Sequence, residues 1–223
     1  MPSKDYELFI WSCFPKDFHA AREGLLHDSL LRLEGEERQM AIDLLMGKLT
    51  GLASCIHVEE RVIEAIGWLK LKEAIPPLQR RLAITISPFS RALIGLSLYR
   101  ITGYPQGVGL AIKAFDITPI SSQYNRLRCA DYLMVYAKEY KSAVRRLLQA
   151  VDDRDNFVAF YSFGLLKFIF EENSQLINHI ETILETLVEH KKNKPNEIST
   201  RKIALAKASE LIEIEFQSNP QWH

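Results

Sequence analysis

The chain has 223 residues, of which 47% are hydrophobic and 25% are charged, a composition typical of a globular protein that needs no disulfide or metal to hold its core. Its 28 basic and 28 acidic residues give a formal net charge of zero, which disfavours a protein that works mainly through phosphate contacts. Three scattered cysteines, Cys13, Cys55 and Cys129, lack CxxC spacing, which indicates buried thiols in a reducing compartment.

The first 16 residues contain a dense apolar cluster. We expect a first helix or an extended arm that seals the open end of the core, and the alternative is an exposed docking segment. The apolar run has neither the length of a membrane span nor the small-residue cleavage site of a signal peptide. A cytoplasmic protein without membrane contact is therefore expected. The cluster consists of Tyr6, Leu8, Phe9, Ile10, Trp11 and Phe14.

Residues 17–50 have the pattern of a helical hairpin. Asp17 is a candidate N-cap for a first helix that runs to about Leu33, and Glu34-Gly35 interrupts the apolar pattern. Glu36 and Glu37 then place negative charge at the start of a second helix, where the helix dipole favours it. We interpret residues 1–57 as N-terminal capping helices.

The stretch 61–82, RVIEAIGWLKLKEAIPPLQRRL, is the most informative part of the chain. Its apolar spacing predicts a helix, and Gly67 would let a neighbouring backbone come close. After a turn at 70–72, Pro76 and Pro77 fit the first turn of a second helix, whose backbone N–H groups have no intrahelical partner. One such helix pair cannot bury both of its apolar faces, so we expect stacked neighbours.

The run Ala65-Ile66-Gly67-x-Leu69-x-x-x-Glu73-Ala74-Ile75-Pro76-x-Leu78 closely resembles the bacterial HEAT-repeat pattern, of the kind also found in phycobilisome-lyase-like repeats. The resemblance implies an α-solenoid of stacked antiparallel helix pairs, an armadillo-like superhelix. The match covers one repeat, and periodicity alone extends it to the others.

Later segments continue in pairs about 30–35 residues apart. The helix at 156–170 is apolar on nearly all sides, so we expect it to be buried. A last helix starts at Ser199, with Ile203, Ala206, Leu211 and Ile214 facing the stack, and 218–223 reads as a frayed tail. The other predicted helices are 90–101, 108–115, 124–136, 140–151 and 174–190.

No segment has the alternation of half-buried strands, so the predicted class is all-α. We expect a single helical-repeat domain over 1–223, with HEAT-like repeats at 58–190 and a C-terminal capping helix at 197–217.

No constellation of catalytic residues is visible. His19, Glu23 and His27 lie four apart on one predicted helix, but the two histidines would be about 12 Å apart, too far to share one ion. Cys129 fits a small core residue, and no serine or cysteine signature or phosphate-binding glycine loop is present. We predict a non-enzymatic protein without a metal or cofactor.

Charged residues on the second helices of the pairs are the candidate binding surface, because those helices usually line the concave face of a solenoid. The pattern predicts a groove that is basic in its middle and acidic toward its C-terminal end, suited to a charged protein partner. The alternative is ordinary solvated helix faces. The residues are Arg80, Arg81, Lys113, Lys141, Arg145, Arg146, Glu181, Glu185 and Glu189, with Tyr99, Tyr132, Tyr136 and Tyr161 as possible aromatic anchors.

Three functions follow as hypotheses. The first is a protein-binding adaptor or inhibitor, and the resemblance to small bacterial HEAT-like proteins implies an immunity protein that neutralises a toxin. The second is nucleic-acid binding in a basic groove, as in HEAT-like DNA glycosylases, which the acidic stripe disfavours. The third is a chromophore-lyase-like role, for which no cysteine is suitably placed.

Overall fold

The computed structural model describes residues 2–14, 24–51, 56–171, 174–193, 198–220 and 222–223. Within these ranges the chain is helical and no residue lies in a β-strand, which confirms the all-α prediction. The chain divides into two compact units, Met1–Leu110 (unit 1) and Ala111–His223 (unit 2). The predicted single repeat domain and its internal boundaries stay a prediction. Asp17, His19, Glu23 and Cys55 lie outside the described residues.

Unit 1 is built around the helix that carries the clearest repeat signal. We label its helices α1 (Lys4–Cys13), α2 (His27–Leu31), α3 (Gly35–Thr50), α4 (Ile56–Leu69), α5 (Ile75–Ile84) and α6 (Pro88–Thr102). Helix α4 packs against α1, α2, α3 and α6. Its buried apolar side chains are Val62, Ile63, Ala65, Ile66 and Leu69, the apolar face expected from helical spacing.

Two turns in unit 1 follow the sequence-based predictions. Lys70 adopts a left-handed φ of 53° and ends α4. A short 3₁₀ turn, Lys72–Ala74, then leads into α5, where Pro76 and Pro77 lie in the first turn as predicted. Close approach at Gly67 is also confirmed, because a Cβ there would lie 2.9 Å from the Cα of Ser97 in α6.

The N-terminal apolar cluster forms α1, which packs on α2 and α4. Phe9 is fully buried and lies between the rings of Tyr6 and Phe14, with centroid distances of 6.1 and 6.0 Å. The buried side of this helix therefore contributes to the core of unit 1, and its role as a cap of the stack stays a prediction.

Helix α7 (Gly107–Ile117) crosses the boundary between the units, and unit 2 continues with five more helices. Each of these packs against the next one along the chain, and α8 also contacts α10 while α9 contacts α12. The core of unit 2 is therefore assembled from sequence-adjacent helices. They are α8 (Gln123–Ala137), α9 (Lys141–Ala150), α10 (Asn156–Ile169), α11 (Ser174–Asn193) and α12 (Ile198–Ser218).

The prediction that the helix at 156–170 is buried on all sides is wrong. Helix α10 buries one face and leaves Phe157, Phe160, Tyr161 and Phe168 exposed. It contacts α8, α9 and α11, and these neighbours leave the aromatic side of the helix uncovered.

Two further expectations at the C-terminus are wrong. In α12 the side chains that turn inward are Ala208, Ile212 and Phe216, whereas Ile203 and Ile214 are 58% and 52% exposed. The segment after α12 is docked rather than frayed, because Trp222 is buried with its ring 5.1 Å from that of Phe216. No described helix has the length and apolar character needed to cross a membrane.

Candidate partner-binding site

The two arginines predicted in unit 1 have different environments. Arg80 is exposed and has no hydrogen bond or ion pair among the described residues. Arg81 contacts the Glu59 carboxylate at 2.7 Å and donates to the carbonyls of Leu49 and Gly51 at 3.3 and 3.1 Å. It therefore satisfies carbonyl groups at the end of α3 and stabilises the fold locally.

The basic residues predicted in unit 2 are mostly engaged. Arg145 makes a bidentate pair with Glu213, with distances of 2.5 and 2.7 Å, and lies over the Phe216 ring. Lys141 lies 5.8 Å from the centre of that ring. Lys113 is exposed and has no partner among the described residues. The pair with Arg145 lowers the pKa of the Glu213 carboxyl, chiefly through the hydrogen bond it accepts.

Arg146 links two parts of unit 2. Its Nε donates to Asp116 of α7 at 2.6 Å, and its guanidinium lies 4.3 Å from the centre of the Phe115 ring. This arrangement stacks a planar cation on an aromatic face. The hydrogen bond to Asp116 uses only one of the five N–H donors of the guanidinium.

The predicted acidic stripe is on α11. Glu181 pairs with Lys167 of α10 at 2.6 Å, and Glu185 is exposed. The side chain of Glu189 lies outside the described residues. Of the predicted aromatic anchors, Tyr132 and Tyr136 are buried and Tyr161 is exposed.

Arg145 and Arg146 share an open cleft of about 650 Å³ in unit 2. Helices α7 and α9 form its sides, and Arg126 of α8 and the turn before α10 complete it. Glu181 and Glu185 do not line it. The lining residues are Ile112, Asp116, Ile120, Arg126, Ser142, Arg145, Arg146, Gln149, Asp152, Asp153 and Arg154.

A buried ion pair anchors the deep part of this cleft. Arg126 and Asp153 are in direct contact, with side chains that are only 7% and 11% exposed. The Arg126 guanidinium also lies 5.1 Å from the centre of the Phe115 ring, so that ring contacts both Arg126 and Arg146. The Arg126 Nε is buried and has no hydrogen-bond partner among the described residues.

The turn that carries Asp153 is held by its own hydrogen bonds. The Asp153 carboxylate accepts from the Asp155 backbone N–H at 2.9 Å, and Asp155 in turn caps α10 through the Phe157 N–H at 2.9 Å. Asp155 also accepts from the Gln123 side chain at 3.1 Å. The rim residue Arg154 is thereby placed on an ordered turn, exposed and without an ion pair among the described residues.

Sequence reasoning identified two of the cleft residues and missed the others. The aspartates of the turn 152–155 have a sequence pattern typical of a helix cap, and Arg126 has no local signal because its partner is 27 residues away. Gln149 and Ser142 are uncharged and were overlooked, although both are exposed in the cleft.

The described residues include two cysteines and one histidine–carboxylate contact. Cys13 and Cys129 are buried, and burial raises the pKa of both thiols, that of Cys129 to about 11. Within the described ranges no three His, Cys, Asp or Glu residues form a group that could hold a metal ion. His27 contacts Glu64 at 3.2 Å, and its ring lies 4.5 Å from the Trp68 ring in a tilted arrangement.

Comparison with known proteins gives no relative: no protein-family model, curated protein or solved structure matches the chain.

Proposed function

We propose that this chain is a non-enzymatic HEAT-like α-solenoid that binds another protein, and that the cleft of unit 2 receives an acidic segment of that partner. The repeat-like stretch at 65–78 supports the architectural part, together with the close packing of α4 on α3 and α6. Stacked helical repeats serve mainly as extended binding surfaces, which supports the functional part.

The observation that carries the proposal is the collection of four guanidinium groups in one cleft. Arg145 uses two N–H donors on Glu213 and Arg146 uses one on Asp116, out of the five that a guanidinium carries. Arg154 is unpaired among the described residues. The cleft thus holds several oriented donors that suit a carboxylate.

The existing ion pairs would not prevent such binding. The Arg145–Glu213 pair is at the surface, with side chains 49% and 37% exposed, and surface pairs contribute only about 0–1 kcal/mol. A partner carboxylate can therefore share or replace Glu213 at small cost. Ile112 and Ile120 add apolar contact beside the charges.

Neutralisation of a toxin in the bacterial cytoplasm is the form of this function that the resemblance to HEAT-like immunity proteins suggests. An acidic surface on the toxin would meet the arginines and be steered toward them. The proposal predicts an inhibitory complex that requires no catalytic turnover.

Nucleic-acid binding is the second candidate, favoured only by the arginines of the cleft. Asp116, Asp152 and Asp153 lie among them and oppose a phosphate backbone, which carries a negative charge on every nucleotide, more strongly than a single partner carboxylate. A gel-shift assay at low salt distinguishes the two, because phosphate-driven affinity falls steeply with added salt.

Site-specific photocrosslinking in the native cell tests the proposal. A photoreactive amino acid replaces Gln149, which is exposed in the cleft, and a matched control replaces Gln217, which is exposed on α12 and does not line the cleft. We expect one protein to be crosslinked at position 149 and not at 217. Equal capture at both positions, or none at 149, would contradict binding in the cleft.

A further inference from the structure

Helix α10 carries an exposed stripe of aromatic side chains. Phe157, Phe160, Tyr161 and Phe168 are 70%, 46%, 39% and 54% exposed, and their spacing places them on one side of the helix, with Gly164 among them. The other side of α10 is its packed face, formed by Val158, Ala159, Ser162, Leu165 and Leu166.

The stripe is held rigid by its neighbours. The Tyr161 hydroxyl donates a hydrogen bond to the Asp131 carboxylate of α8, and the Asp155 carboxylate that caps α10 accepts from Gln123 at the start of α8. Tyr124 is exposed and lies seven residues before Asp131, hence on the same side of α8, so its ring extends the aromatic surface. A surface of this kind loses little side-chain entropy when it is covered.

The exposed aromatic area is large enough for a specific interface. With about 200 Å² for a full aromatic side chain, the five rings expose roughly 500 Å². Such a patch is at the upper end of what a monomer usually exposes. Two copies placed face to face would bury about 1,000 Å², the lower limit for a specific interface.

The stripe is complementary to itself. An antiparallel crossing of two α10 helices, centred between Ser162 and Phe163, places Phe157 opposite Phe168 of the second copy. The same register places the Tyr161 ring opposite the second copy's Gly164. Gly164 has no side chain, and a Cβ there would meet nothing within 4 Å, so this position forms an open notch that can receive the ring.

The charges at the ends of α10 fit the same register. Arg154 precedes the positive end of the helix dipole and Glu171 follows its negative end, so each charge is unfavourably placed within its own chain. Both are exposed, and neither has an ion pair among the described residues. In the antiparallel crossing Arg154 faces Glu171 of the second copy and the negative end of that copy's helix.

From this match of shape, area and charge we infer that the exposed face of α10 is the interface of a symmetric homodimer. The contact is isologous, because each copy contributes the same rings, the same notch and the same two charges. A formal net charge of zero leaves little overall repulsion to oppose the association.

Sedimentation equilibrium on the full chain, from 1 to 200 µM, tests the inference. We expect the wild type to dimerise in this range and Gly164→Leu to weaken the dimer at least tenfold, because its side chain fills the notch. Folding should not suffer, since the site is open and leucine favours a helix over glycine. Gly109→Leu, at a helical glycine that is also open, is the control and should leave the dimer intact.

A series of charge-swap variants provides a second test of the dimer interface. Arg154→Glu and Glu171→Arg should each weaken the dimer several-fold, and the double variant should regain most of the wild-type affinity. Since Arg154 also lines the cleft, Glu171→Arg is the independent single variant. Three results would overturn the inference: a monomer at 200 µM, a dimer unaffected by Gly164→Leu, or no rescue in the double variant. A monomer would assign the exposed face of α10 to a different protein.

Discussion

Ser97 of α6 lies directly against Gly67 of α4, and its hydroxyl donates a hydrogen bond to the Ile63 carbonyl at 2.8 Å. A Cβ added to Gly67 would lie 2.7 Å from the Ser97 hydroxyl oxygen and 2.9 Å from its Cα. Because one of these neighbours is backbone, a side chain at position 67 must separate the two helices. The central contact of unit 1, between α4 and α6, therefore depends on the absence of a side chain at position 67.

Replacement of Gly67 by alanine should reduce the free energy of unfolding by about 1–3 kcal/mol, the usual cost of overpacking a tight contact. Urea denaturation followed by circular dichroism measures this change. Gly47→Ala in α3 is the matched control, because a Cβ there meets nothing within 4 Å and alanine favours the helix by about 0.5–1 kcal/mol. Equal effects of the two substitutions would contradict the packing argument.

The buried pair at the base of the cleft gives a second prediction. Arg126→Met should destabilise the protein by about 3–5 kcal/mol, because it leaves the Asp153 carboxylate buried without its cation. Arg80→Met, at an exposed position without an ion pair among the described residues, should change stability by less than about 0.5 kcal/mol. Thermal and urea unfolding of the two variants would show the difference, and similar stabilities would mean that the Arg126–Asp153 pair contributes little.

The pair between Arg145 and Glu213 predicts a dependence on pH. The pKa of the Glu213 carboxyl is lower in the fold than its ordinary value of 4.5, chiefly because Arg145 donates hydrogen bonds to it. A carboxylate of this kind contributes stability above its unfolded pKa, and the contribution is lost as the pH falls through the folded pKa. Since the pair is exposed, it should contribute less than about 1 kcal/mol.

Arg145→Met should accordingly lower stability slightly at pH 7, and the difference from wild type should shrink as the pH falls below 4.5. Urea titrations at pH 7, 4.5 and 3 measure it, with Arg80→Met, at an exposed position without an ion pair among the described residues, as a control that shows no such trend. A difference that stays constant down to pH 3 would assign the effect of Arg145 to its contact with the Phe216 ring instead.

The two described thiols should be inert. Burial raises the pKa of Cys129 to about 11 and that of Cys13 further, so almost no thiolate is present at pH 7.5. Iodoacetamide should leave both cysteines unmodified in the folded protein and label both in urea, as read out for each cysteine by peptide mass spectrometry. Rapid labelling of either one in the folded state would show that its burial is transient.

Much of the local structure could be predicted from the chain alone. The glycine at 67 predicts a close helix contact, and Pro76 and Pro77 predict a helix start, because both effects depend on only a few neighbouring atoms. Local rules were insufficient where two faces of a helix are comparably apolar. In α12, for example, the face with Ile212 and Phe216 is buried in preference to the one with Ile203 and Ile214.

Tertiary contacts decide the remaining features. The polar-looking end of the chain is ordered because Trp222 packs on Phe216 and the His223 backbone pairs with Glu139 and Lys141. In the candidate site, Arg145 and Arg146 could be chosen from their helical positions. Asp116 and Asp153 could not, since only the fold brings residues so distant in sequence to the same arginine-lined cleft.

The most direct test of cleft binding is a titration with the protein recovered by crosslinking at position 149. Gln149→Glu adds a negative charge to the cleft without removing a described ion pair, Gln149→Lys adds a positive one, and Gln217→Glu is the control outside the cleft. Isothermal titration calorimetry should show affinity at least tenfold lower for Gln149→Glu, equal or higher for Gln149→Lys, and unchanged for Gln217→Glu. Equal affinities for all three variants would contradict recognition of an acidic partner in this cleft.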